Sequence, residues 1–247
     1  MDDDLNWRVE EACTNAWPSP RELIYRGWLM RFSGGAIRRV NSVNPLRGAR
    51  EKPGPVIETA EKLYESLGRK PIFRIPQIAD DLDKAVEARG YDFAAGSAVL
   101  FCDLAGYCAA ISEEVSVEAE MSDEWHSESH RIGASSEFDH VIFRDMIATI
   151  VIPKAFSSIE ADGHIVAKAY GAIHDGLLVL ESVATDPGYR QRGYSGKVVS
   201  ALMAWAKMRG VEAACLQVLA DNVPALALYR SLGFNRELYR YHYRMKM

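Results

Sequence analysis

The sequence lacks the features that define several classes of protein. It has no stretch of about 18–20 uninterrupted apolar residues, the length that a helix needs to cross a bilayer, so we expect no membrane partner. Apolar residues nevertheless make up 48% of the 247 residues. That share is enough to bury a core and excludes a wholly disordered chain. The length suits two small domains better than one.

Cysteine is sparse, and a secretion signal is missing. Four cysteines stand at positions 13, 102, 108 and 215, and none forms a Cys-x-x-Cys pair. This usage indicates reduced thiols and not a disulfide framework. The first twelve residues, MDDDLNWRVEEA, are acidic and lack the basic and apolar regions of a signal peptide. We therefore expect a cytoplasmic protein.

The sequence has no excess of positive charge. The formal net charge is -5 at pH 7, which argues against a nucleic-acid partner. Residues 111–130 hold seven acidic residues and no Lys or Arg, whereas residues 131–247 hold 14 basic and 11 acidic residues. The mildly basic C-terminal part suits an anionic ligand, and the acidic stretch marks the expected domain boundary.

Hydrophobic periodicity predicts alternating strands and helices in both halves. The first half is predicted to contain strands 27–33 and 37–44 joined at Gly34 and Gly35, helix 56–67, strand 71–75, helix 82–88 and strand 98–104. The second half is predicted to contain strand 115–120, helices 123–131 and 137–149, strands 163–173 and 176–185, helix 193–209, strand 213–219, helix 222–231 and strand 234–245. This order favours a central sheet with helices on its faces.

The most informative stretch joins an apolar strand to a helix. The strand ends in TDP at residues 185–187, and RQRGYSG at residues 190–196 then opens the helix. Backbone N–H groups converge at such a helix start, where the helix dipole adds positive potential. The stretch therefore predicts a pyrophosphate site, although a solvated turn with two Arg and two Gly would look the same. A Rossmann site is excluded because Gly-x-Gly-x-x-Gly is absent.

A second stretch, LQVLADNVPALALYRSLGF at residues 216–234, completes a pair of motifs. Together the two stretches resemble the GNAT superfamily of acetyl-CoA-dependent N-acetyltransferases. That family carries R/Q-x-x-G-x-G/A at the helix start and N-x-x-A-x-x-L-Y-x-x-x-G-F downstream. The second motif matches at every fixed position from Asn222 to Phe234, and the helix-start motif departs at Ser195. The resemblance covers about residues 115–247 and is strongest, near the C-terminus, to the ribosomal-protein N-terminal acetyltransferases.

The resemblance implies a fold and a set of site residues. The fold is α/β, with tandem GNAT-like mixed sheets flanked by helices. Residues 1–111 would form a degenerate GNAT-like domain, and residues 112–247 would form the complete catalytic domain. Tyr229 would protonate the departing thiolate of coenzyme A. Acetyl-CoA would be held by Val183 and Thr185 along its pantetheine arm, and elsewhere by Arg190, Gln191, Arg192, Gly193, Tyr194, Ser195, Gly196 and Asn222.

The base that deprotonates the attacking amine is a separate question. The ribosomal-type enzymes carry Glu on the strand before the Asn motif, in L-E-V. This chain has Gln217 there, and glutamine cannot accept a proton. Glu181, on the strand before the helix-start motif, is the candidate base. The alternatives are that Glu181 is a solvated strand carboxylate, or that water relays the proton to bulk solvent.

The first half resembles the C-terminal part of a GNAT domain in the order of its elements. LYESLG at residues 63–68 echoes the LYRSLG of the second motif, but no helix-start motif precedes it. GWLMR at residues 27–31 is typical of bacterial two-domain GNAT proteins. We expect this half to wall the acceptor cleft. Arg31, Arg39 and Asn41 would then contact substrate or make structural hydrogen bonds.

Two other groups of residues are weaker candidates. His126 and His130 lie four apart on a predicted helix, a spacing that can hold zinc. No nearby Cys completes a ligand set, so we interpret the segment as a solvated acidic helix and expect no metal. Tyr239, Tyr241 and Tyr243 alternate on the last predicted strand, so one face of that strand either lines a cleft or packs in the sheet.

The sequence thus predicts an enzyme that moves the acetyl group of acetyl-CoA directly to a primary amine. The acceptor would be a small molecule or a peptide. A transferase for a longer acyl-CoA is one alternative. A non-catalytic acyl-CoA sensor is the other, because Gln217 replaces the expected Glu. The oligomeric state is left open, with a homodimer as one option.

Overall fold

The computed structural model describes residues 3–108, 110–133 and 136–246. Within them the chain forms one long sheet with helices on both faces. The helices are α1 (Asp3–Ala16), α2 (Pro53–Ser66), α3 (Asp83–Glu87), α4 (Asp123–Gly133), α5 (Glu137–Ala148), α6 (Tyr194–Lys207) and α7 (Val223–Ser231). The strands are β1 (Glu22–Tyr25), β2 (Trp28–Arg31), β3 (Val43–Pro45), β4 (Ile72–Pro76), β5 (Asp92–Asp103), β6 (Ser116–Glu118), β7 (Lys154–Ala161), β8 (His164–His174), β9 (Leu177–Thr185), β10 (Ala213–Leu219) and β11 (Arg236–Met245). Arg38–Val40 and Pro187–Tyr189 form short 3₁₀ turns.

The sheet is mixed and joins all the strands of the described residues. Their order is β1-β2-β3-β4-β11-β5-β10-β9-β8-β7-β6. The pairs β3/β4 and β9/β10 are parallel, and every other described pair is antiparallel. This architecture confirms the predicted α/β class. The two predicted sheets are hydrogen-bonded edge to edge into one.

Strand β5 lies among strands from the second half of the chain. It belongs to the first half of the chain, yet it pairs on one side with β10 and on the other with β11. The sheet therefore runs unbroken across the expected boundary between residues 111 and 112. The division into domains 1–111 and 112–247 stays a prediction.

The predicted pairing of strands 27–33 and 37–44 is confirmed in part. Strand β2 pairs antiparallel with β3, and also with β1, but the second strand is shorter than predicted. The connection is a loop of residues 34–42, so the predicted turn at Gly34 and Gly35 is wrong. The buried side chain of Asn41 closes this loop. Its Oδ1 accepts a hydrogen bond from the N–H of Gly34, and its Nδ2 donates to the carbonyls of Gly34 and Ile37. We call residues 34–42 the 34–42 loop.

The two faces of the sheet bury separate cores. On one face, α6 packs on β7, β8 and β9, and its Val198 and Leu202 are fully buried. On the other face, α1 packs on β8 and β9, and α4 packs on the same two strands. The sequence patterns did not predict α1, whose Val9, Ala12, Cys13 and Ala16 lie in the buried cluster on this face. None of the helices in the described part of the chain combines the length and apolarity that crossing a bilayer requires.

Candidate active site

The parallel strands β9 and β10 pair only over their first halves. Their register ends at Leu180 and Leu216, although β9 continues to Thr185 and β10 to Leu219. A bulge follows at Ser182, which has a φ of +51° and coincides with a register shift against β8. A bulge bends the strand that carries it. The two strands therefore open into a V, and we call this gap the V-shaped opening.

One arm of the V-shaped opening carries unpaired backbone groups. Asp186 donates its N–H to the carbonyl of Val166 on β8, at 2.8 Å. Successive residues of a strand direct their N–H and C=O groups to opposite edges. Thr185 and Val183 therefore turn their backbone groups towards the V-shaped opening. The Oγ1 of Thr185 also lies 2.6 Å from the Oγ of Ser195, which ties this arm to the start of α6.

The start of α6 presents a run of unpaired N–H groups. Within the described residues, the backbone N–H groups of residues 191–196 donate no hydrogen bond, and the first bond of the helix runs from Lys197 N–H to the carbonyl of Gly193 at 3.2 Å. Gln191 and Gly193 have φ values of +62° and +78°, which curl the loop. Arg190 and Arg192 are exposed on it. A loop with cationic side chains and convergent N–H donors is chemically suited to bind an anion.

Helix α7 borders the same loop. A Cβ built on Gly196 would lie 3.7 Å from the Cδ1 of Leu228, so the end of α7 abuts the start of α6. Asn222 is the N-cap of α7, and its Oδ1 accepts a hydrogen bond from the N–H of Ala225 at 3.2 Å. The capping role uses its oxygen and leaves its amide nitrogen available.

Tyr229 lies on α7, and its side chain is buried. It belongs to the buried cluster that contains Leu180 and Leu216, the last paired residues of β9 and β10. Burial, and then the negative charge of Glu181, raise the pKa of the Tyr229 hydroxyl well above its ordinary value. None of the described residues accepts a hydrogen bond from this hydroxyl. Tyr229 is thus a protonated phenol with a donor to offer.

Glu181 is buried and paired with a residue from the first half of the chain. Its side chain is 4% exposed, and its Oε1 accepts a hydrogen bond from the Nη1 of Arg39 at 2.6 Å. Burial raises the pKa of the Glu181 carboxyl, although the charge and hydrogen bond of Arg39 oppose the rise. The alternative that Glu181 is a solvated carboxylate is therefore wrong. A buried carboxylate with a raised pKa is suited to accept a proton near neutral pH.

A cleft lies beside the other arm of the V-shaped opening. Its volume is about 270 Å³, and its walls include Arg38, Arg39, Ser97, Gln217, Tyr241 and Tyr243. The hydroxyl of Tyr241 donates to the Oε1 of Gln217 at 3.1 Å. Two of the three alternating tyrosines thus line a cleft, while Tyr239 donates to Glu10 at 2.7 Å. Gln217 thus accepts a hydrogen bond from Tyr241 at the position where the ribosomal-type enzymes carry Glu.

A second cavity lies against β9 beyond the bulge, and we call it the Lys168 cavity. Its volume is about 260 Å³, and its walls include Trp17, Ile37, Phe143, Lys168, Ser182 and Val183. The sequence patterns did not single out Lys168. The available signal was one lysine inside the apolar strand HIVAKAYGAIH at residues 164–174.

The remaining candidates have structural partners. Arg31 is buried and donates to the carbonyls of Trp17 and Thr14 at 3.0 Å, and Asn41 closes the 34–42 loop. His126 is 2% exposed and stacks on His140 with ring centres 3.6 Å apart, so the expectation of a solvated helix is wrong at this position. Among the residues that the structure describes, no cluster of His, Cys, Asp or Glu is arranged to hold a metal.

Comparisons with solved structures define the class of protein. The structure of a GCN5-related N-acetyltransferase from Kribbella flavida superposes with a TM-score of 0.70 at 17% identity, covering 100% of this chain and 95% of that one. A tandem GNAT protein from the clavulanic acid biosynthesis pathway superposes with a TM-score of 0.64 at 13% identity, covering 83% of this chain and 74% of that one. The fold is therefore that of the GNAT superfamily, including its tandem members.

Sequence comparison then defines the family. The chain belongs to the family described as "Probable histone acetyltransferase Rv0428c C-terminal", which matches residues 7–244. It is 26% identical over 254 residues to the uncharacterized N-acetyltransferase YobR of Bacillus subtilis (strain 168), and the match covers 99% of both chains. It is 39% identical over 64 residues to the ribosomal protein bS18-alanine N-acetyltransferase of Escherichia coli (strain K12), covering 26% of this chain and 43% of that enzyme. The identification as a GNAT N-acetyltransferase is confirmed.

Proposed function

We propose that the protein transfers the acetyl group of acetyl-CoA to a primary amine of a small molecule or a peptide. One observation carries the proposal: the open arm of β9 leads directly to the unpaired N–H groups at the start of α6. An extended arm with amide groups needs backbone partners along a strand edge. A pyrophosphate needs convergent N–H donors. Membership of the GNAT superfamily supports the same donor.

The residues present fit acetyl-CoA. Val183 and Thr185 supply the strand edge for its pantetheine arm, and the amide of Asn222 serves the thiol end. A Cβ at Gly193 would meet nothing within 4 Å, so the loop leaves room for phosphate oxygens. The pyrophosphate is assigned to the backbone of Gln191, Arg192, Gly193, Tyr194, Ser195 and Gly196, with charge from Arg190 and Arg192.

The chemistry proposed for this chain is direct transfer. Acetyl-CoA supplies an acyl group that is activated as a thioester. Glu181 takes the proton of the attacking amine, and its raised pKa suits that role. Tyr229 donates a proton to the departing sulfur. Unpaired N–H groups on the open arm of β9 are placed to stabilise developing negative charge on the carbonyl oxygen.

The first half of the chain contributes to the acceptor side. Arg39 reaches Glu181, and the N–H of Ala36 donates to Asp139 on α5, so the 34–42 loop spans the region beside the bulge. We therefore assign residues 112–247 as the catalytic domain and residues 1–111 as a domain that walls the acceptor cleft. The E. coli relative is named for an alanine acceptor. In this chain Gln217 replaces the Glu of such enzymes and is hydrogen-bonded to Tyr241. This replacement favours an acetyl acceptor that differs from theirs.

Calorimetric titration with acetyl-CoA tests the donor site. We expect one site per chain in the wild type and an affinity at least about tenfold weaker in Gly193→Asp, because the carboxylate repels phosphate and its side chain fills space left for phosphate oxygens. Gly210→Asp is the matched control: Gly210 also has a φ of +78° and open space, but it lies at the other end of α6. Equal weakening in both variants, or no binding by the wild type, would contradict the site.

Thiol release in the presence of a panel of amines separates an enzyme from a sensor. We expect free coenzyme A to accumulate with time and to require both acetyl-CoA and an amine. Binding of acetyl-CoA without any amine-dependent release would favour the sensor.

A further inference from the structure

The Lys168 cavity holds a buried ammonium group that no described carboxylate neutralises. Lys168 is 2% exposed, and its Nζ lies 3.7 Å from the ring centre of Trp125 and donates to the Oγ of Ser129. None of the ion pairs formed by the described residues includes it. Burying an unpaired charge is costly, and here burial lowers the pKa of the Lys168 amine to about 7. An anion in the cavity would remove that cost.

The acidic side chains at this end of the cavity are already engaged. Glu128, whose charge reaches Lys168, binds Arg131 instead. Asp139 lines the cavity, but its oxygens accept hydrogen bonds from the N–H of Ala36 at 2.7 Å and the hydroxyl of Ser136 at 2.6 Å. These neutral donors hold both Asp139 oxygens in place but leave the carboxylate charged, so an anionic ligand binds at the Lys168 end of the cavity.

Much of the remaining wall is apolar, although His140 and Ser182 also line it. Trp17, Ile37 and Phe143 form the apolar part, and Trp17 and Phe143 pack with ring centres 5.8 Å apart. The Nε1 of Trp17 is a buried donor that finds no acceptor among the described residues. The cavity thus combines an aromatic wall with two groups that lack an acceptor or a counter-charge.

The cavity is also next to the candidate base. Ser182 and Val183, which line it, directly follow Glu181 on β9. Lys168 lies opposite Ala184 in the β8/β9 register. Ala184 is three residues beyond Glu181, and three residues of a strand span at most about 10 Å. Arg39 joins the two ends, since it binds Glu181 and covers the Trp17 ring at 4.1 Å. The cavity therefore extends along β9 from Lys168 towards Glu181.

We propose that the Lys168 cavity is the acceptor subsite and takes an amine that carries its own carboxylate next to an aromatic or apolar group. Lys168 binds the carboxylate, and the amine faces Glu181 at the V-shaped opening. This inference rests on the proposed acetyl transfer and deepens it. It makes Lys168 a specificity-determining residue, and it makes a free amino acid or a compound of that class the acceptor.

Three probes that differ at the carboxylate test the assignment: L-phenylalanine, L-phenylalaninamide and 2-phenylethylamine. We expect Lys168→Met to lower kcat/KM for phenylalanine by about 10- to 100-fold, because a charged hydrogen bond is lost. The values for the two probes without a carboxylate should change less than about twofold. Comparing variant with wild type for each probe cancels the differing basicity of the amines. Lys168→Arg should keep most of the preference, and Lys62→Met, at an exposed site on α2, should change nothing.

Differential labelling supplies a measurement on the unchanged protein. Acetic anhydride modifies neutral amines, and peptide mass spectrometry reports the modified fraction of Lys168. We expect phenylalanine to protect Lys168 and phenylalaninamide to leave it reactive. Absence of such a difference, or an equal loss of rate for all three probes in Lys168→Met, would overturn the subsite. If acetyl-CoA still binds in that case, only this inference fails; if acetyl-CoA does not bind either, the proposed function fails with it.

Discussion

The Nη1 of Arg39 lies 2.6 Å from the Oε1 of Glu181, and the two residues come from opposite halves of the chain. Arg39 stands on the 3₁₀ turn of the 34–42 loop, and Glu181 is the last residue of β9 before the bulge. Burial raises the pKa of Glu181, and Arg39 restrains that rise. The first half of the chain thereby controls the protonation of the candidate base in the second half.

Replacing Arg39 should move the acid limb of the pH–rate profile. Arg39→Met removes the main cause that lowers the pKa of Glu181, so that pKa should rise further. A base works only when deprotonated, so the rise of kcat/KM with pH should shift to higher pH, and the rate should recover at alkaline pH. Arg38→Met, which removes a neighbouring charge over Tyr243, is the control and should leave the limb in place. An unshifted limb in Arg39→Met would mean that another group titrates.

Replacing Glu181 itself should remove that limb. We expect Glu181→Gln to lower kcat by about 10²- to 10⁴-fold, the usual contribution of a positioned base, while acetyl-CoA still binds. Glu160→Gln, at an exposed position of β7, is the matched control. Glu181→Gln also leaves Arg39 without its carboxylate partner, so the thermal unfolding of Glu181→Gln should be measured in parallel. An unchanged kcat across pH would exclude Glu181 as the base and favour the water relay.

Tyr229 and Tyr64 occupy the same position in two similar motifs, LYRSLG and LYESLG. Replacing each of them tests whether Tyr229 is the catalytic acid. Tyr229→Phe should lower kcat by about 10²-fold or more and leave stability nearly unchanged, because its hydroxyl has no described acceptor. Tyr64→Phe should do the opposite, since its buried hydroxyl donates to the carbonyl of Arg31 at 2.7 Å. That loss should cost about 1 kcal/mol of stability without changing kcat. Steady-state rates and urea unfolding of both variants measure the contrast, which would disappear if Tyr229 were only a core residue.

Local patterns were sufficient for the part of the fold that carries the donor site. Helix 193–209 and strand 213–219 were predicted from periodicity and correspond to α6 and β10. The helix-start motif is also local, because a few consecutive residues determine its geometry. The V-shaped opening is different, because it depends on a bulge at Ser182. This residue adopts a positive φ, and a serine gives no sequence signal for that conformation, as a glycine would.

Contacts between distant parts of the chain could not be predicted from these local patterns. The insertion of β5 between β10 and β11 and the ion pair of Arg39 with Glu181 both join residues far apart in sequence. The burial of Lys168 depends on α4, which places Trp125 and Ser129 over the strand. Periodicity reports which face of an element is apolar, and it does not report what covers that face.

The cost of burying Lys168 should appear as a dependence of stability on pH. Burial lowers the pKa of this amine in the folded protein to about 7, from an ordinary value of 10.5. Between these pH values the unfolded chain holds a proton that the folded chain has released, so the free energy of unfolding rises with pH. Each pH unit in the window contributes up to about 1.4 kcal/mol, and the penalty is fully present below pH 7.

Urea unfolding at pH 6, 8 and 10 of the wild type and Lys168→Met measures this effect. Groups that titrate in both proteins cancel in the difference, so the stability of the wild type relative to the variant should rise with pH across the window. Lys62→Met should follow the wild type, because exposed Lys62 pays no such burial cost. Parallel pH profiles for wild type and Lys168→Met would show that the folded protein keeps Lys168 charged at an ordinary pKa. In that case the cavity would already supply a counter-charge, and the argument for an anionic acceptor would lose its physical basis.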